Sequence, residues 1–263
     1  MKRLFLAAAM SLLLFACNNE KKEAEIAKNS DWYAQHLKGN VQTLEETSYT
    51  PDSTGVIGAM DSCCISTETY DDKGYTTSSS KKDSKGTVTE KMTMSRYDKG
   101  QAKEMSMEKD GKLNSGFKIQ IDAAGKYASA QELDSAGNVK FFYTNLEEDA
   151  NGGVTTGKRF KADSSLDGTF YNVYSDGLQT GNSYKDSSGK EVYKSVSEIN
   201  DKGLIVKTTE TEVGKDSTTT NAKTFTYDSF DEAGNWTQRT TYNEEGRATK
   251  VIKRSFTYFK KEQ

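Results

Sequence analysis

The 263-residue sequence is poor in the residues on which many catalytic and metal sites depend. It contains one histidine, His36, one proline and three cysteines. A histidine-dependent catalytic triad or a multi-histidine zinc site would need partners for His36 that the sequence does not identify. No P-loop, dinucleotide-binding glycine motif or Gly-x-Ser-x-Gly sequence occurs. We therefore predict that the chain is not an enzyme, that it uses no metal or cofactor, and that His36 lies on a helix surface.

Apolar residues are also scarce. They make up 33% of the chain, with a mean hydropathy of −0.82, against about 45–50% (glycine included) in average proteins. Aromatic residues nevertheless reach 10%, with 14 tyrosines, and disordered chains are poor in aromatics. We predict a folded, polar chain with a thin core. The net charge of −3 and the lack of a long basic block argue against nucleic acid as a partner.

One apolar run, at positions 4–15, follows two basic residues at the N-terminus. It is shorter than the roughly 20 residues of a membrane-spanning helix and is typical of a secretory signal peptide. The sequence LFAC at 14–17 resembles the lipobox of bacterial lipoproteins. This resemblance implies a signal peptide at 1–16 and acylation of Cys17. Several acyl chains would anchor the chain stably, since each buried methylene contributes about 0.8 kcal/mol.

Residues 17–29 are charged and polar and are predicted to form the lipidated cysteine and a flexible tether. Asn18 follows the cysteine, which by resemblance to enterobacterial sorting implies the outer membrane. The acidic residues Glu20, Glu23 and Glu25 resemble the surface-export signals of Bacteroidetes lipoproteins, although a plain soluble linker is an equal alternative. We expect a lipid-anchored envelope protein and leave its face of the outer membrane open.

The dominant signal in residues 30–263 is a recurring turn, which predicts one β-repeat domain. Asp or Asn caps backbone N–H groups at the first position of a turn, and the glycine takes the left-handed conformation. The full motif, Asp/Asn-x-x-Gly, begins at Asp71, Asp83, Asp122, Asp134, Asp149, Asp186, Asn200, Asp231 and Asn243. Shortened forms end at Gly100, Gly111, Gly168 and Gly177.

The segments between these turns have the pattern of β-strands. Phe117, Ile119 and Ile121 alternate with polar residues, as do Val139, Phe141 and Tyr143. We predict an all-β fold, an antiparallel meander of about 14 strands that forms a twisted, curved open sheet or half-barrel. One short helix is predicted over Trp32–Lys38, capped by Ser30 or Asp31, and the first strand over Val41–Thr50.

Two adjacent cysteines, Cys63 and Cys64, lie in a predicted strand. Their Cα atoms would be about 3.8 Å apart across a trans peptide, below the usual separation in disulfides. We therefore expect two unbridged residues that face opposite sides of the strand, in preference to a redox or metal site.

Several repeats resemble a known family. The segments at 70–75, 97–100, 230–236 and 242–249 resemble the YD repeats of RHS proteins, and the segment at 176–184 resembles MORN repeats. The resemblance implies a curved antiparallel sheet; the chain is too short for the shell that RHS proteins form around toxins. A lipid-facing barrel is disfavoured, because strands such as Lys81–Thr89 and Lys215–Lys223 offer no apolar band.

These features favour a membrane-anchored binding or interaction module, with a glycan, a peptide or an envelope protein as partner. Trp236 and Tyr242 are the candidate ligand-binding aromatics, although packing within the sheet is the favoured role for them. One alternative is a carrier of lipid or lipoprotein, which would require a surplus of large apolar residues on a concave face. A hydrolase that uses Asp and Glu is a less favoured third hypothesis.

Overall fold

The computed structural model describes residues 26–52, 56–214 and 216–260, without the side chains of Ser62 and Cys64. The predicted signal peptide and Cys17 lie outside the described residues. Within them, the chain forms sixteen strands and one short helix, and no helix there has both the length and the apolar character needed to span a membrane.

The secondary-structure elements have the following bounds: α1 (Asp31–Ala34), β1 (Val41–Pro51), β2 (Ile57–Tyr70), β3 (Thr76–Lys82), β4 (Val88–Arg96), β5 (Ala102–Lys109), β6 (Lys112–Ile121), β7 (Tyr127–Leu133), β8 (Val139–Glu148), β9 (Val154–Lys161), β10 (Leu166–Ser175), β11 (Leu178–Asp186), β12 (Glu191–Ile199), β13 (Ile205–Val213), β14 (Thr218–Phe230), β15 (Trp236–Tyr242) and β16 (Ala248–Tyr258).

The sheet closes into a barrel. Each strand pairs with its neighbours in sequence, and β1 also pairs with β16, from Val41 opposite Tyr258 to Tyr49 opposite Val251. The predicted all-β antiparallel meander is confirmed, whereas the open sheet or half-barrel of 14 strands is wrong. In an open sheet, β1 and β16 would each expose an unpaired edge, which promotes aggregation. Closure removes both edges because the two strands pair with each other.

The predicted number of strands is too low because three turns lack the motif. One lies between β9 and β10, where Ser164 N donates to Lys161 O (2.9 Å). The other two lie between β1 and β2, where Asp52 N donates to Val56 O (2.9 Å), and between β13 and β14, where Gly214 N donates to Ser217 O (2.8 Å). A predicted turn at Gly168 is also misplaced, since this residue lies inside β10.

The predicted turn chemistry is present where the full motif occurs. At the β2–β3 turn, Asp71 Oδ1 accepts hydrogen bonds from Lys73 N (3.0 Å) and Tyr75 N (2.9 Å), and Gly74 has φ of +85°. The carboxylate thus caps backbone donors while glycine takes the left-handed conformation.

The helix begins as predicted but is shorter. Ser30 is the N-cap, and its Oγ accepts a hydrogen bond from Tyr33 N (3.2 Å). The helix ends at Ala34 instead of Lys38, because His36 has φ of +53°. His36 is therefore not on a helix; its Nε2 donates to the Asp176 carbonyl oxygen (3.1 Å).

Residues 26–40, which we call the plug, lie across one end of the barrel. Trp32 N donates to Gly74 O (3.1 Å) in the β2–β3 turn, and Asn29 Nδ2 donates to Lys99 O (3.0 Å) in the β4–β5 turn. On the opposite side, Lys38 N donates to Asn235 Oδ1 (2.8 Å) in the β14–β15 turn. We call this the plugged end and the other the far end.

The buried core lies between the plug and one side of the barrel. It comprises Trp32, Leu37, Val41, Leu44 and Tyr70, against which Ile26, Phe256 and Phe259 pack. Apart from the plug, these residues belong to β1, to β2 and to β16 with the residue that follows it. The plug therefore packs mainly against the side of the barrel where β1 pairs with β16.

Cys63 is exposed in β2 and is disulfide-bonded. The expectation that it is unbridged is wrong. That expectation rested on the backbone spacing of adjacent residues alone.

The wall remains polar where the two faces of β13 and β14 can be compared. One face of this pair carries Glu210 opposite Asn221, and the other carries Thr209 opposite Ala222 and Thr211 opposite Thr220. Neither face of this strand pair carries an unbroken apolar band at these positions.

Candidate functional site

A cavity of about 480 Å³ lies between the plug and the wall formed by β6 to β10. Barrels of about eight strands are filled by their own side chains, whereas barrels of about sixteen strands leave a lumen. The plug fills part of this lumen by packing against the β1–β2–β16 side. The cavity is the space that remains on the opposite side.

Large apolar side chains on alternate positions line this cavity, which we call the lumenal cavity. Phe117 and Ile119 reach it from β6, Tyr143 from β8 and Phe170 from β10. The ring centroids of Phe117 and Tyr143 are 6.3 Å apart, and those of Tyr143 and Phe170 are 6.2 Å apart. All four side chains are only half-buried, so they line a space and are not packed together as a core.

Gly157 in β9 gives this aromatic wall its shape. A Cβ atom at this position would lie 2.6 Å from Leu146 and 2.7 Å from Phe170, closer than side chains approach. The missing side chain allows the Phe170 ring to approach the strand closely. This glycine is therefore needed for close packing of the wall.

The end of the cavity next to the plug is polar. Arg96 Nη2 lies 2.5 Å from Asp31 Oδ2, and the Thr76 amide donates to the same carboxylate oxygen (2.6 Å). Arg96 Nη1 donates to Gly100 O (2.8 Å), and its guanidinium stacks over the Tyr75 ring at 5.0 Å. This ion pair joins α1 to the wall and gives the apolar cavity one charged boundary.

Two buried polar atoms at this boundary have no partner in the described structure. They are Gln101 Oε1 and Arg96 Nε. Gln101 Nε2 donates to Gly125 O (2.7 Å), which fixes the amide. Both atoms are closed off from solvent, so they make this boundary polar but are not counted among the contacts open to an occupant.

Tyr143 connects the aromatic wall to a second polar group. Its hydroxyl donates to Glu132 Oε2 (2.8 Å). Burial, together with this carboxylate, raises the pKa of Tyr143 above its ordinary value. The tyrosine therefore stays neutral and keeps its ring in the wall.

A further cluster surrounds Arg159 of β9. Its guanidinium lies between the rings of Phe141 (4.6 Å) and Tyr184 (4.5 Å) and pairs with Asp167 (2.5 Å). Burial and a hydrogen bond to Asp167 raise the pKa of Tyr184 to about 12. Burial would raise the pKa of Asp167, but hydrogen bonds from Tyr184 and Arg159 outweigh it and lower the pKa. Asp167 is thus held in a side-chain cluster within β10, and the chain turns before it, at 161–165.

The sequence-predicted site residues lie in different places. Trp236 is buried, with the Arg254 guanidinium 3.5 Å from its ring and the Tyr227 ring centroid at 5.6 Å. Tyr242 is at the opposite end of β15 and lines neither of the two cavities that border the plug. The structure does not bring the two aromatics together, and Cys17 lies outside the described residues.

The sequence pattern does not mark the residues of the lumenal cavity as a site. The alternation of Phe117 with Ile119 and of Phe141 with Tyr143 identified one face of each strand, but not an unfilled space beside it. No cluster of three or more histidine, cysteine, aspartate or glutamate residues suited to a metal occurs in the part of the chain that the structure describes.

No family model and no curated protein matches this sequence. Among solved structures, a porin-like protein from Bacteroides uniformis is 13% identical, with 84% of this chain and 98% of that chain covered and a TM-score of 0.53. A porin-like protein from Bacteroides vulgatus is 10% identical, covering 84% and 99%, with a TM-score of 0.42. A LolA superfamily protein from Nitrosomonas europaea is 9% identical, covering 90% and 93%, with a TM-score of 0.21. At these identities the first match shows a shared barrel fold only.

Proposed function

We propose that this chain is a cell-envelope protein that holds a small apolar or amphipathic molecule, such as a lipid acyl chain, in the lumenal cavity. The observation that carries the proposal is the wall of half-buried aromatic and aliphatic side chains around unfilled space. The cavity volume of about 480 Å³ falls within the roughly 300–1,000 Å³ of small-molecule sites.

This proposal prefers the carrier hypothesis to the hypothesis of a binding or interaction module. The carrier required a surplus of large apolar residues on a concave face, and Phe117, Ile119 and Phe170 supply one locally. The binding module relied on the exposed face of an open sheet. Because the sheet closes, its concave face is the lumen, which admits a small molecule more readily than a folded partner.

Location and anchoring remain part of the proposal. The lipobox-like sequence at 14–17 and the polar segment that follows favour an envelope lipoprotein with the membrane as its partner. Substituting Cys17 with serine should release the chain from the membrane fraction, as measured by cell fractionation. Retention of this variant in the membrane would contradict the lipid anchor.

Filling the cavity tests the ligand proposal. Ala130 lines the cavity, whereas its neighbour Ser129 points to the other side of β7. We expect native mass spectrometry of the protein, purified without detergent and then supplied with an uncharged monoacylglycerol, to show one bound molecule. Ala130→Phe should abolish this adduct, and Ser129→Phe should preserve it.

Circular dichroism on both variants establishes that the barrel is folded. An unliganded mass for the parent protein at saturating monoacylglycerol would overturn the proposal. So would an equal adduct in the folded Ala130→Phe variant.

A further inference from the structure

A second cavity, of about 360 Å³, lies on the other side of the plug from the lumenal cavity. It is bounded by the plug and by the turns β12–β13 and β14–β15. Its apolar lining includes Leu204, Phe230 and Trp236. Phe230 is 43% exposed, a large fraction for a phenylalanine, so this lining is open to an occupant.

The charges around this cavity are mainly positive. Lys38 enters from the plug and Lys202 from the β12–β13 turn, and the Lys202 ammonium lies 5.6 Å from the Phe230 ring centroid. Neither lysine forms a salt bridge with a carboxylate of the described residues. The one carboxylate among the lining residues, Asp176, accepts a hydrogen bond from the Tyr33 hydroxyl.

A buried donor without a partner belongs to the same lining. Trp32 is 4% exposed, and its indole Nε1 has no hydrogen-bond partner in the described structure. A buried donor without an acceptor is costly, and native structures leave few of them. This nitrogen is closed off from solvent, so it is not counted among the contacts that the cavity offers to an occupant.

Arg254 is also among the lining residues, but it is already neutralised. Its Nε donates to Glu46 Oε1 (2.7 Å), and its guanidinium stacks on Trp236. Burial lowers the pKa of Arg254. The unpaired positive charge available to a ligand is therefore that of Lys38 and Lys202.

We propose that this second cavity binds an anionic amphiphile, with its charged oxygens near Lys38 and Lys202 and its apolar body on Leu204, Phe230 and Trp236. The site is separate from the lumenal cavity and requires no occupant there. Its chemistry fits a phosphate or carboxylate head group joined to an alkyl chain. Free phosphate could contact the two lysines but has no apolar body to occupy the rest of the cavity.

The two tryptophans of the chain both line this cavity, so intrinsic tryptophan fluorescence reports on it directly. The purified full chain would be titrated with dodecyl phosphate below its micellar concentration, with inorganic phosphate and with an uncharged monoacylglycerol. We expect a saturable change with dodecyl phosphate, and none with the other two at the same concentrations.

The variant Lys38→Ala/Lys202→Ala should weaken dodecyl phosphate binding roughly tenfold, since each exposed charge pair contributes modestly. Lys85→Ala/Lys190→Ala removes the same charge from far-end turns and should bind as the parent does. Phe230→Ala should also weaken binding, which separates an amphiphile site from a simple anion site.

Equal affinity in the two double-lysine variants would overturn the proposal, as would equal responses to dodecyl phosphate and the uncharged amphiphile. A response to inorganic phosphate equal to that of dodecyl phosphate would overturn the amphiphile assignment. The Ala130→Phe variant should keep the full fluorescence response, so failure of the lumenal proposal would not be mistaken for failure of this one.

Discussion

The two ends of the barrel use the same turn sequence in different surroundings. Gly74 at the plugged end and Gly86 at the far end have φ of +85° and +84°. A Cβ at Gly74 would overlap the Trp32 ring, whereas one at Gly86 would meet nothing within 4 Å. The far-end glycines Gly111, Gly137, Gly189 and Gly246 have equally open space. The motif therefore determines the backbone conformation of the turn at both ends. Only at the plugged end are some of these turns also packed against other residues, those of the plug.

The largest expected difference between the ends comes from Trp32. This side chain is buried in the core, so Trp32→Ala should lower the free energy of unfolding by about 3–5 kcal/mol. Leu113, which lies at the far end and is 41% exposed, provides the control. Leu113→Ala should change stability by no more than about 0.5 kcal/mol in the same urea titration. Similar losses in both variants would show that the plug does not stabilise its end.

A single methyl group provides the next test. Gly74→Ala and Gly86→Ala place alanine at nearly the same positive φ, which costs each about 1–2 kcal/mol. At Gly74 the methyl group must also displace the Trp32 ring, and such overpacking costs about 1–3 kcal/mol more. Thermal unfolding of the pair measures this difference, and equal melting temperatures would mean that Trp32 is not held against the turn.

The smallest of the three effects concerns ion pairs. Arg96 and Asp31, which join the wall to the plug, have side chains 16% and 30% exposed, whereas the far-end pair Lys81–Glu90 is 56% and 43% exposed. Arg96→Met should lower stability by about 2 kcal/mol, because it removes charge-assisted hydrogen bonds. Lys81→Met should change it by under about 0.5 kcal/mol. A drop for Arg96→Met no larger than for Lys81→Met would contradict the role assigned to this pair.

The local parts of the fold could be predicted because they depend on neighbouring residues. The caps at Asp71 and Ser30 depend on residues no more than four positions away, and the alternation in β6 and β8 requires only the period of a strand. The type of fold and most of its turns were therefore accessible from the sequence.

Closure and the cavities depend on contacts between distant residues. Nothing near Val41 indicates that it will lie opposite Tyr258. The Asp167-Gly168 pair has the sequence of a turn but lies in a strand. Its side-chain partners, Arg159 and Tyr184, come from the two adjacent strands, so the sequence around the pair does not reveal them. A cavity is harder still to predict, because it depends on which side of the barrel the plug occupies.

The pairing of β1 with β16 also bears on how the molecule folds. The ion pair between Glu46 and Arg254 joins residues 208 positions apart, and contacts at such separations slow folding because a long loop must close first. Until the C-terminal strand is available, β1 exposes an unpaired edge of the kind that promotes aggregation. We therefore expect the pairing of β16 with β1 to be the last step of folding. A chain shortened by that one strand would be left with two open edges, at β1 and β15.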